Sequence, residues 1–197
     1  EAIPHIKKDL ASSIPALQLG TLKSLEALRS EEIEKLVPEI VKILDKSPAE
    51  INAQHSADFQ RQLKEKGSAS QIYLDSSELR LAALSRLGGL VHPSNKTMAL
   101  VEPRVLNTLK ESTNPDELIQ GIHVLGNFIP EKPDYIKPIA EKLHADSPQI
   151  TYAAADALMH SREGNAVLVA EFAKLAKPVQ QLVGEHLAET QRLFDRR

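Results

Sequence analysis

Seven histidines are the side chains in this sequence best suited to chemistry: His5, His55, His92, His123, His144, His160 and His186. Imidazole ligates transition metals and moves protons near neutral pH. Ligation from a helix needs two histidines one turn apart, as in His-Glu-x-x-His. No two of these histidines stand at that spacing. His123 and His160 occupy comparable places in two similar segments, so they fall about one repeat apart. Read alone, they are histidines in solvent or at the edge of a core.

Nucleophilic catalysis has less to build on. Cysteine is absent, which removes thiolate chemistry, disulfides and cysteine-type zinc fingers. There is no Gly-x-Ser-x-Gly, and the serines gather in turns, where capping accounts for them. Phosphate-cradling glycine loops are missing as well. Charged residues make up 26% of the chain, an ordinary solvated surface from which no buried carboxylate pair can be inferred. The expectation is a protein without metal or cofactor, and not an enzyme.

Charge narrows the partners. The 24 basic and 27 acidic residues are spread along the chain, for a net charge of −3. Nucleic-acid binding calls for Lys and Arg clustered on one face. No such cluster is visible, and no apolar run approaches the roughly 18 residues that span a bilayer. Nucleic acid and membrane insertion are therefore not expected. The compartment stays open between cytoplasm and periplasm or secretion. Because the sequence begins at Glu1 rather than Met, a removed leader or an excised piece of a longer protein is expected.

The elements that carry these residues are helical. Apolar residues recur at helical spacing almost everywhere, and aromatics are only 4%, so the core is aliphatic. Prolines recur in register at Pro4, Pro38, Pro103 and Pro138. The lines 36–48, 100–115 and 135–148 each run from such a proline to Leu44, Leu109 or Leu143. A turn with Ser47, Ser112 or Ser147 follows, then Pro48, Pro115 or Pro148. Proline is tolerated in a first helical turn, and a Ser or Asn before the second proline is a good N-cap. Each unit thus reads as helix, tight turn, helix.

The second helices align without gaps at 79–90, 117–128 and 150–161. A small residue, Ala83, Gly121 or Ala154, precedes Leu87, Leu125 or Leu158 by one helical turn. Close helix approach is expected at the small residue. Segment 179–190 follows more loosely, with Val183 before Leu187. Pro4 to Pro38 is 34 residues and Pro103 to Pro138 is 35, periods typical of stacked helical hairpins.

The leading proline, the polar turn and the segment Leu79 to Gly88 (L-R-x-A-A-x-x-x-L-G) resemble HEAT repeats or the related armadillo class. The resemblance covers nearly the whole chain. It implies an all-α, right-handed α-solenoid of about five helical hairpins in a single domain over 1–197. One stretch at about 48–75 breaks the rhythm. Its narrow apolar stripe of Ile51, Phe59 and Leu63, with a break at 67–70 before Ile72, Tyr73 and Leu74, favours an irregular insertion over a degenerate repeat.

Function follows from the same resemblance. Some HEAT-like enzymes hold iron through repeated His-Glu pairs; here Glu185-His186 is reversed and unrepeated. A HEAT-like DNA glycosylase would need a basic, aromatic face, and this chain has no Trp and three Tyr. What remains is a scaffolding or interaction module for a protein or peptide on its concave face, or a structural segment of a larger repeat protein. Exposed positions of second helices form that face: Arg80, Arg86, His123, Asn127, Tyr152, Asp156, Gln181 and Glu185. Asn127 and Tyr152 stand out: an exposed Tyr in a groove is expected to anchor an interface, whereas an Asn after Gly126 also reads as a helix end.

Overall fold

The computed structural model describes residues 2–66 and 75–195, apart from the side chains of residues 185, 188–191 and 193–195. Every regular element among the described residues is helical, with no strand. The helices fall into two compact units.

The first unit takes in Glu1–Leu90 and Ser94–Arg104. It holds α1 (Ala2–Leu10), α2 (Pro15–Ser24), α3 (Ser30–Glu34), α4 (Val37–Leu44), α5 (Pro48–Lys66), α6 (Ser76–Gly88) and the start of α7 (Asn95–Glu111). Helix α4 forms as its spacing demands. Val37, Ile40, Val41 and Leu44 recur at one-turn intervals and are all buried, while Pro38 sits in the first turn. Ser47 then starts α5 with a reciprocal cap. Its hydroxyl accepts from the Glu50 N–H at 3.2 Å, and Glu50 Oε2 accepts from the Ser47 N–H at 2.7 Å. Along α5 the apolar stripe is narrow, as expected: Ile51 is buried, Phe59 half-buried, and Leu63 exposed. The expected break at 67–70 and the apolar run at 72–74 lie outside the described residues.

One proline departs from expectation. Pro103 sits inside α7, not in its first turn. The cause is a start signal upstream: the Ser94 hydroxyl accepts from the Thr97 N–H, and the Glu34 carboxylate caps the same turn from α3. Glu34 Oε1 accepts from the Ser94 N–H at 2.9 Å and from the Thr97 hydroxyl at 2.6 Å. Hydrogen bonds from Ser94, then Thr97, hold the Glu34 carboxyl below the usual carboxylate range. The negative charge there also faces the positive end of the helix dipole.

The second unit takes in Val91–Pro93 and Val105–Arg197. After the end of α7 come α8 (Pro115–Phe128), α9 (Ile136–Ala140), α10 (Pro148–Leu158), α11 (Arg162–Glu171) and α12 (Lys177–Asp195). Short 3-10 turns flank α9 at Pro133–Tyr135 and Glu141–His144. Asn114 caps α8 as expected, accepting from the Asp116 and Glu117 N–H groups. Ser147 does not cap α10 through its hydroxyl, which instead donates to Gln149 Oε1 at 2.9 Å. Its carbonyl still accepts the first helical bond, from the Thr151 N–H. In the core stand Phe128, Tyr135, Ile139, Leu143 and Leu158, all buried.

The small-before-large pairs behave as expected. Ala83, Gly121 and Ala154 are buried, as are Leu87, Leu125 and Leu158. In this unit α10 packs against α8, α9, α11 and α12, and α9 packs against α11. The two glycines of α8, five residues apart, meet different neighbours. A Cβ placed on Gly126 would lie 2.7 Å from the Ala157 Cβ, whereas one on Gly121 would meet the Leu109 Cδ2 at 3.1 Å.

Candidate functional site

The second-helix positions divide between the two units. In the first unit, Arg80 is buried, contrary to its expected place on an exposed face. Its guanidinium Nη1 donates to the Leu44 carbonyl at 3.0 Å and the Lys46 carbonyl at 2.8 Å, closing the end of α4. The signal was present in the sequence. Arg80 stands in the stripe Ser76, Leu79, Ala83, Leu84, Leu87 that α6 buries, one turn before Leu84. A planar donor fork meets carbonyls left over at a helix C-terminus, where cations are favoured. Arg86 is mostly covered too and donates to Glu26 Oε1 at 3.0 Å.

In the second unit, His123 and Asn127 lie one turn apart on α8, and Tyr152 and Asp156 one turn apart on α10. Asn127 and Gln181 are exposed; His123, Tyr152 and Asp156 are half-buried. The side chain of Glu185 lies outside the described residues. Because α10 lies between contacts to α8 and to α12, these residues sit on three helices that pack in succession.

A groove that the sequence did not single out opens elsewhere in this unit. It is shallow and open to solvent, about 880 Å³ between α9, with its flanking turns, and α11. Ile136, Ala140 and Val167 form a half-buried apolar floor. Asp134, Lys137, Glu141 and His144 are exposed around it, and Glu171 closes the α11 side. The 3-10 turns explain the line-up. With three residues per turn, residues three apart eclipse one another, so Glu141 and His144 point the same way. Pro133 sets the first of these turns and Pro138 stands within α9.

No protein-family model matches this sequence, and no curated protein does.

Electrostatics at the groove centre on Glu171. Lys174 Nζ donates to both of its oxygens, at 2.9 and 3.1 Å, and His144 Nε2 lies 3.2 Å from Oε2. Hydrogen bonding from Lys174 first, then the Lys174 charge and His144, hold the Glu171 carboxyl below the usual range. The groove therefore keeps a charged carboxylate at its wall. Among the described residues no group of three His, Asp or Glu side chains gathers to hold a metal ion. None of their helices is long and apolar enough to cross a membrane. The groove is thus open, with an apolar floor and a charged rim.

Proposed function

We propose that this protein is an interaction module, a HEAT-like α-solenoid that binds a protein or peptide partner. The groove between α9 and α11 is the observation that carries the reading. Support for the architecture comes from the second unit, where α10 contacts α8 and α12 while α9 contacts α11. Stacked helical hairpins produce that alternation, each burying its apolar face against the next. The floor and rim of the groove match the layout of protein interfaces, apolar at the centre and polar at the edge.

Two faces are open to a partner, and one experiment separates them. The full chain, immobilised, captures partners from its source lysate for mass spectrometry, beside Val167→Glu and the double variant Asn127→Ala/Tyr152→Ala. Loss of capture with Val167→Glu assigns the groove, and loss with the double variant assigns the second-helix face. Capture unchanged in both, with helicity by circular dichroism also unchanged, sinks the reading.

A second reading is a structural segment of a larger repeat protein. Val169 on α11 and Leu182 on α12 favour it, being 50% and 58% exposed. Self-association in analytical ultracentrifugation, abolished by Leu182→Glu, supports this alternative.

A further inference from the structure

The groove between α9 and α11 has a rim whose charges are unequal. Asp134, Glu141 and Glu171 face it with Lys137 as the one fixed cation among its lining residues. Lys174 already binds Glu171, so the rim is left with the exposed carboxylates of Asp134 and Glu141 against the exposed cation Lys137 between them, a net charge of −1. These two stand seven residues apart along the α9 segment, which is roughly 10–14 Å at the rises of α- and 3-10 helices. Between them lies the apolar floor of Ile136 and Ala140, with Val167 opposite.

From this arrangement we infer that the groove binds a basic amphipathic helix of a partner protein, which places its apolar stripe on Val167, Ile136 and Ala140 and two Lys or Arg side chains on Asp134 and Glu141. This rests on the interaction-module reading and names the partner's chemistry. An amphipathic helix offers apolar anchors three, four and seven residues apart. Basic residues two turns apart on its flank span roughly 10 Å, matching the separation of the two carboxylates. A helix with acidic flanks would set like charges against Asp134 and Glu141, which costs affinity and slows encounter.

The probe is a fluorescein-labelled peptide of two copies of Leu-Lys-Lys-Leu-Leu-Lys-Leu, with the Leu-Glu-Glu-Leu-Leu-Glu-Leu counterpart as control. Fluorescence anisotropy against the full chain is expected to show the lysine peptide bound at least about tenfold tighter than the glutamate peptide. The double variant Asp134→Lys/Glu141→Lys, at exposed positions that leave the core untouched, should erase or invert that preference. Val167→Gln, which puts a neutral polar group on the apolar floor, should weaken the lysine peptide without acting on either rim carboxylate.

A lysine preference that persists unchanged in the double variant places the binding elsewhere and overturns the inference. So does equal binding of the two peptides by the native chain. The outcomes also separate from those of the parent reading. A natural partner lost with Val167→Glu but kept by the double variant leaves the groove as a binding site and removes the basic helix.

Discussion

Replacing Gly126 by alanine adds one methyl group where α8 meets α10. The new Cβ would lie 2.7 Å from the Ala157 Cβ and 3.2 Å from its Cα. Carbon atoms pack best at about 3.5–4.0 Å, so the helices would have to part by roughly 1 Å. Ala157 has no rotamer to yield, and overpacking of this kind costs about 1–3 kcal/mol. Alanine also gains about 1 kcal/mol over glycine in a helix interior. Gly121→Ala takes the same propensity gain but meets the end of a flexible leucine at 3.1 Å, which can shift by a few tenths of an ångström. Gly121→Ala is therefore expected between neutral and about 1 kcal/mol more stable, and Gly126→Ala about 0–2 kcal/mol less stable. Urea melts followed by circular dichroism give both values at a common slope. Adding Ala157→Gly to Gly126→Ala removes the colliding methyl and should recover stability, a positive coupling of about 1 kcal/mol or more. If Gly126→Ala proves as stable as Gly121→Ala, the close approach of α8 and α10 is wrong.

Two further perturbations address how helix ends are held in the first unit. Arg80→Met keeps the packing of a long side chain but removes the donors to the Leu44 and Lys46 carbonyls. It should cost about 2–3 kcal/mol in urea melts, and Arg80→Lys should restore only part, because an ammonium cannot reproduce the guanidinium fork. Glu34→Gln tests the cap on α7. The folded Glu34 carboxyl titrates below its ordinary value, so its contribution is present above that value and is lost as pH falls through the lowered one. The variant should therefore be less stable than the native chain at neutral pH, with the gap closing in acid; a gap constant with pH would show that the Glu34 charge contributes nothing.

The sequence was legible wherever a single element carried its own signal. Val37, Ile40, Val41 and Leu44 announce one buried face of α4, and Asn114 with Pro115 announces where α8 begins. The small residues Ala83, Gly121 and Ala154, each one turn before a leucine, are buried. Three features resisted because they join segments far apart. Glu34 caps a turn 60 residues away. The register that sets Gly126, rather than Gly121, on Ala157 depends on how α8 and α10 are offset along their axes. The groove also needs both the 133–144 stretch and α11, neither of which shows it alone. Arg80 differs in kind: counted among exposed second-helix positions, it stands instead in the buried stripe of Leu79, Ala83 and Leu87.

The position of the groove follows from α10. This helix buries Ile150, Thr151, Ala153, Ala154, Ala155, Ala157 and Leu158, which leaves Tyr152 and Asp156 as its half-open stripe. Alanine side chains are short, so neighbours on several sides can all come close, and α10 does pack against α8, α9, α11 and α12. A helix enclosed in this way keeps chiefly that stripe at the surface. Its neighbours α9 and α11 each spend one face on α10 and keep another turned outward. Because α9 is short and continues as 3-10 turns, it cannot fill the space along α11, and Ile136, Ala140 and Val167 stay half-covered there. Lengthening α9 would close that space against α11. Pro138 opposes such lengthening on the N-terminal side, since it sits in the first turn of α9 and lacks the N–H that a longer helix would need from it. The alanines that tighten the core and the proline that limits α9 therefore act together, and between them they leave the apolar floor open.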